Sequence, residues 1–134
     1  MHACGICRFK RRLIAVFVDD RGRAAPALTA ETNDDACWDL LAAVDAQHGL
    51  DYALVLPDDL TSVDAISHLA LARGHALWSA PHQLVIAISS AAGVTSGARL
   101  AAMIGRLALV PLFRRHLRRI HHDDALNWLQ LRLP

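Results

Sequence analysis

Three sets of residues in this chain have the types and spacing to do chemistry. His2, Cys4 and Cys7 form an H-x-C-x-x-C cluster. A C-x-x-C pair can hold zinc or carry out thiol redox chemistry, because thiolates are soft ligands and good nucleophiles. A structural zinc takes four ligands, however, and there is no second C-x-x-C, though His121 and His122 could complete a set. Strand alternation would also send Cys4 and Cys7 to opposite faces. The expectation is no metal at this cluster. Asp19-Asp20 and Asp58-Asp59 are paired carboxylates, the hard oxygen donors a divalent cation needs.

The third set is Arg114, Arg115, Arg118 and Arg119. On a helix their spacing puts all of them on one side, which suits contact with phosphates. The competing reading is a solvated helix face paired with Asp123 and Asp124, in a C-terminal half where the helix dipole favours cations. His75, His82, His116, His121 and His122 have no serine or cysteine beside them in a nucleophile motif, and are expected at the surface or its boundary. Trp38, Trp78 and Trp128 are expected as core or interface anchors.

Composition bounds what these residues can serve. The chain has 134 residues, 54% of them hydrophobic and 20% charged, which predicts one folded domain rather than disorder. Formal net charge is +1, so no global field points to nucleic acid; the charge is local, basic at 8–12 and 114–119, acidic at 34–39 and 58–64. Three cysteines make no disulfide framework, and the basic residues from Arg8 onward interrupt any secretory apolar core, so the expected location is cytoplasmic. The stretch 76–98 lacks Asp, Glu, Lys and Arg, but its Pro, His, Gln and Ser content predicts two buried elements rather than a membrane span.

The elements that must position these groups follow from periodicity. His2–Phe9, Leu13–Val18 and Ala27–Glu31 read as strands, with Lys10-Arg11-Arg12 as one turn and Asp20-Arg21-Gly22 as a hairpin tip. Asn33 or Asp34 caps a helix with Cys37, Leu40, Leu41 and Val44 on one stripe and Gly49 at its end. Tyr52–Leu56 reads as a strand covered on both faces, stopped by Pro57. Thr61 and Asp64 form a capping box for a helix ending at Gly74, and Ala76–Trp78 is the next strand. Leu84–Ile88 is ambiguous and is assigned to a helix after Pro81; Ser96 caps another. Leu112–Ile120 and Asp124–Leu131 are expected as terminal helices, making 111–134 a helical extension of a single domain over 1–134. The order predicts an α/β mixed sheet, an antiparallel three-strand meander followed by βαβ units.

Gly5-Ile6-Cys7-Arg8-Phe9-Lys10, the Leu13–Val18 strand and Asp19-Asp20-Arg21-Gly22-Arg23 together resemble the opening hairpin of an RNase H-like, RuvC-like domain. The pattern is similar to that of the N-terminal domain of DEDD-type insertion-sequence transposases, which reads approximately G-I-D-V-S-K before a Leu/Val strand and an acidic turn. The resemblance spans about residues 2–110. It implies metal-binding acids at three places, and these correspond here to Cys7, to Pro57 and to the acid-free stretch 95–98. The expected protein is therefore a non-catalytic RNase H-like binding or assembly module without a cofactor. It is expected to form homo-oligomers, to associate with DNA or RNA through Arg114, Arg115, Arg118 and Arg119, and to have no membrane role. The rival readings are a plain oligomerisation protein and a metal-dependent nuclease using Asp19, Asp20, Asp58 and Asp59.

Overall fold

The structure is a computed structural model and describes residues 1–49, 51–63 and 66–121. A six-stranded mixed sheet in the order β3-β2-β1-β4-β5-β6 forms its centre. The strands are β1 (Ala3–Phe9), β2 (Arg12–Val18), β3 (Leu28–Ala30), β4 (Ala53–Pro57), β5 (Ala76–Ala80) and β6 (Arg118–Ile120). β1, β2 and β3 form the expected antiparallel meander, and β4 and β5 then add parallel to β1. The helices are α1 (Asp34–His48), α2 (Asp58–Val63), α3 (Ile66–Ala72), α4 (His82–Ala92), α5 (Gly97–Leu107) and the single turn α6 (Pro111–Arg114). No helix among the described residues is long and apolar enough to cross a membrane.

Strand alternation divides the core in two. Cys4, Ile6, Leu54, Leu56 and Leu77 face α1 and α3, where they meet the expected stripe of Cys37, Leu40, Leu41 and Val44. Ala3, Cys7, Val16, Val18 and Val55 face α5 on the other side. Asn33 caps α1 by accepting from Ala36 N, and Ser96 caps α5 by accepting from Arg99 N.

α5 lies on β1 at backbone distance. A Cβ built on Gly5 would fall 1.9 Å from the Ala101 carbonyl oxygen and 2.5 Å from Gly105 N. Gly97, Ala101 and Gly105 recur every four residues along α5, and only small residues permit so close an approach. The β1–β2 turn is also tight: Lys10 and Arg11 both have positive φ, 51° and 66°, as a two-residue hairpin of the primed class requires.

Two expected elements differ. The helix after β4 starts at Asp58, not at a Thr61 cap, because Asp58 and Asp59 place two carboxylates in its first turn, where the helix dipole favours them. The helical reading of 112–120 fails beyond Arg114: residues 118–120 pair antiparallel with β5. The edge of β5 presents unpaired backbone groups, and pairing with them outweighs the local helical spacing of the arginines. Expectations for Trp128, His122 and the Asp124–Leu131 helix lie outside the described residues.

Candidate functional site

The three positions that the sequence resemblance singles out converge. Cys7 ends the buried part of β1, Pro57 ends the parallel neighbour β4, and Gly97 opens α5. The Cys7 thiol donates to the Gly97 carbonyl oxygen at 3.4 Å. Cys7 and Pro57 line one cleft of about 220 Å³, together with Arg8, Asp59, His82 and Ser89. Cys7 is 1% exposed, and burial, reinforced by the charge of Asp59, pushes its thiol up to about 12. At neutral pH this sulfur keeps its proton and donates the hydrogen bond to Gly97.

Two-metal phosphodiester chemistry needs several carboxylate oxygens around a pair of hard cations. Proline offers no side-chain donor and the Gly97 carbonyl receives the Cys7 thiol, which leaves Asp59 as the carboxylate lining the cleft. Its neighbour Asp58 bonds to the Ser79 hydroxyl on β5. These residues do not fit a divalent metal pair. Among the described residues, no group of three or more His, Cys, Asp or Glu is placed to hold a metal ion.

The nuclease reading also required Asp19 and Asp20 to act with Asp58 and Asp59, and the sheet separates them. Asp19 follows Val18, which pairs with Ala3 at the start of β1, whereas Asp58 follows Pro57 at the opposite end of the parallel strands. About six residues of extended chain intervene, on the order of 20 Å. Asp19 has a structural task instead: one of its oxygens accepts the N–H groups of Arg21 and Arg23, both at 2.9 Å. These bonds, that from Arg23 above all, hold its carboxyl below the usual range. His2, Cys4 and Cys7 likewise form no ligand set, since Cys4 and Cys7 lie in opposite cores.

The four arginines do not share a helix face. Arg114 ends α6, and its Nη1 lies 3.8 Å from Met1 Sδ. Arg118 and Arg119 are on β6, so alternation turns them to opposite faces. Arg119 stands opposite Trp78 on β5, its guanidinium carbon 5.3 Å from the ring centroid. Arg115, Arg118 and Arg119 are exposed, and none of the four pairs with a carboxylate among the described residues.

One polar cluster was not anticipated. At the end of the sheet away from Cys7, Asp45 accepts from Tyr52 Oη at 2.7 Å and from Arg73 Nε at 2.8 Å. His75 is 4% exposed rather than at the surface, with Nε2 3.2 Å from Asp45 Oδ1 but not aligned to hydrogen-bond to it. Burial lowers its pKa, against the pull of Asp45. Trp38, expected as an anchor, is 41% exposed and lies under the Arg73 guanidinium. The available signal was Asp45 itself, which continues the Cys37–Leu41 stripe by one more step of four.

A three-strand meander joined to parallel strands, with helices on both faces, defines an RNase H-like fold. T. thermophilus RuvC in complex with Holliday junction substrate superposes on this chain with a TM-score of 0.50, at 13% identity over 90% of this chain and 99% of that one. The likeness at that identity is one of fold. No family model and no curated protein matches the sequence.

Proposed function

We propose that this chain is a non-catalytic RNase H-like module that binds nucleic acid or assembles with partners that do. The observation that carries the reading is the replacement of carboxylates where β1, β4 and α5 converge: a protonated Cys7, Pro57 and the Gly97 backbone occupy the place where metal-binding acids would meet. Arginines with no carboxylate partner among the described residues support an anionic partner, since guanidinium binds phosphate bidentately and stays charged at any working pH. The fold neighbour, a RuvC bound to a Holliday junction, makes DNA the first partner to test. The finer kinship with DEDD-type transposase domains, and with it a role in mobile elements, rests on the Gly5–Lys10 opening and its spacing. A cytoplasmic location fits three free cysteines.

The test is binding of branched and linear DNA, and of RNA, across a salt series. On duplex DNA, log K should fall with log salt by about 0.9 per phosphate contacted. Arg115→Glu with Arg118→Glu should weaken binding without changing stability, and no Mg²⁺-dependent cleavage should accompany it. Salt-independent or absent binding would leave self-association in front. That second reading has its own support: α4 carries no charged residue and buries none of its side chains, Ile86 is 48% exposed, and Leu112 on α6 is 58% exposed. It predicts a concentration-dependent oligomer that Ile86→Lys dissociates.

A further inference from the structure

A second opening lies away from the converging strand ends near Cys7. It is a cleft of about 550 Å³ at the opposite end of the sheet, where β1, β4 and β5 begin, lined by Met1, His2, Asp51, Tyr52, Trp78 and Arg119 among others. That volume lies within the range of small-ligand sites. We propose that it binds a phosphorylated nucleoside, either as a free nucleotide or as one unit of a single strand.

Trp78 is half-buried on β5 and contributes a flat aromatic wall. Arg119, its cross-strand neighbour, holds a planar guanidinium over the ring at 5.3 Å. Arginine has N–H donors in a fixed fork that matches phosphate oxygens, and Arg119 has no carboxylate partner among the described residues to occupy them. His2 and Asp51 also line the cleft. An exposed guanidinium held beside an aromatic wall recognises an anion that carries a flat ring. Base stacking on an aromatic side chain is tolerant of base identity, so the phosphate and the ring matter more than which base is present.

The inference shares with the proposed function the expectation of a phosphate ligand and one residue, Arg119; Trp78 and the cleft belong to it alone. Calorimetric titration of the full chain should use AMP, adenosine, inorganic phosphate and a short oligothymidylate. AMP should saturate, with adenosine and phosphate each at least about tenfold weaker, the loss expected when stacking or the charge is removed. Arg119→Gln should lower AMP affinity about tenfold at unchanged stability, with Arg119→Lys intermediate because it keeps the charge and loses the planar fork. Trp78→Phe should retain part of the preference for AMP over phosphate. Oligothymidylate binding more tightly than AMP identifies a strand as the source, and equal binding identifies a free nucleotide. No saturation by any probe in the millimolar range, or AMP binding unchanged in Arg119→Gln, overturns the proposal. Arg115→Glu with Arg118→Glu separates the two ideas: if duplex binding is lost and AMP binding kept, the cleft stands apart from the proposed function, and if AMP still fails to bind while duplex binding persists, only the cleft is wrong.

Discussion

The thiol of Cys7 donates to the carbonyl oxygen of Gly97 across 3.4 Å, joining the end of β1 to the first residue of α5. The contact puts a thiol and a backbone carbonyl, rather than carboxylates, in the place where the sequence resemblance expects metal-binding acids. It also makes the site part of the core: Cys7 packs with Val16, Val55 and Ala101 on the α5 side of the sheet.

Replacing Cys7 by Asp therefore should not rebuild a metal site. The new carboxylate would be buried beside the charge of Asp59 and without a cation, a cost of about 3 kcal/mol at pH 8. The loss should shrink at pH 5, where a carboxyl pushed up by burial keeps its proton. Urea denaturation with and without Mg²⁺ measures this. A Cys7→Asp protein that Mg²⁺ stabilises would show that the cleft accepts a metal after all.

Gly105→Ala should be among the most damaging single-methyl changes in the chain. Its Cβ would lie 2.9 Å from Gly5 N and 3.3 Å from a Val18 methyl, and the backbone of β1 cannot yield without moving the sheet. We expect a loss of about 3 kcal/mol, at the upper end for overpacking, read from the urea midpoint. Gly93→Ala, where nothing lies within 4 Å of the added Cβ and only the positive φ is strained, should cost about 1 kcal/mol.

The hairpin turn is strained by its own side chains. Lys10 and Arg11 both have positive φ, where residues with a Cβ pay about 1 kcal/mol or more. The double substitution Lys10→Asn with Arg11→Gly supplies the preferred residues for such a turn and should raise the thermal midpoint by several degrees. A fall in nucleic-acid affinity in the same variant would mean that the strain is retained for the charges it displays; an unchanged affinity would confine contact to the Arg114–Arg119 edge.

Stability should fall at both ends of the pH scale, for separate reasons. His75 is buried neutral, with a folded pKa below its usual 6.5, so its contribution is complete above about pH 6.5 and is lost as pH falls through the folded value. Cys4 and Cys7 are both pushed up from 9.0 to about 12, chiefly by burial, so their contribution is complete below about pH 9 and is lost as pH rises toward 12. His75→Phe should flatten the acid limb and leave the alkaline limb in place. Asp45→Asn should cost about 3 kcal/mol across the middle of the range, because it strips Arg73 of its buried partner. Thermal midpoints from pH 5 to 10.5 test all of these.

What the sequence by itself determined is the run of elements from β1 to α5. Its strands, its α1 stripe of Cys37, Leu40, Leu41 and Val44, and its caps at Asn33 and Ser96 follow from periodicity and local hydrogen bonding, which involve neighbours along the chain. Strand alternation likewise separated Cys4 from Cys7. The short G-I-x-x-x-K opening carried enough of the fold to bring Cys7, Pro57 and residue 97 to one place. Tertiary structure decided the rest. Arg118 and Arg119 have helical spacing but lie on a strand, because the open edge of β5 offered backbone partners that no local pattern records. Asp45, Tyr52, Arg73 and His75 meet only because α1, β4 and β5 come together at one end of the sheet, and a buried carboxylate needs partners wherever the fold can supply them. The Trp78–Arg119 pair is a cross-strand contact 41 residues apart in sequence (119 − 78), set by the register of an edge strand, and it exists only once the sheet has formed.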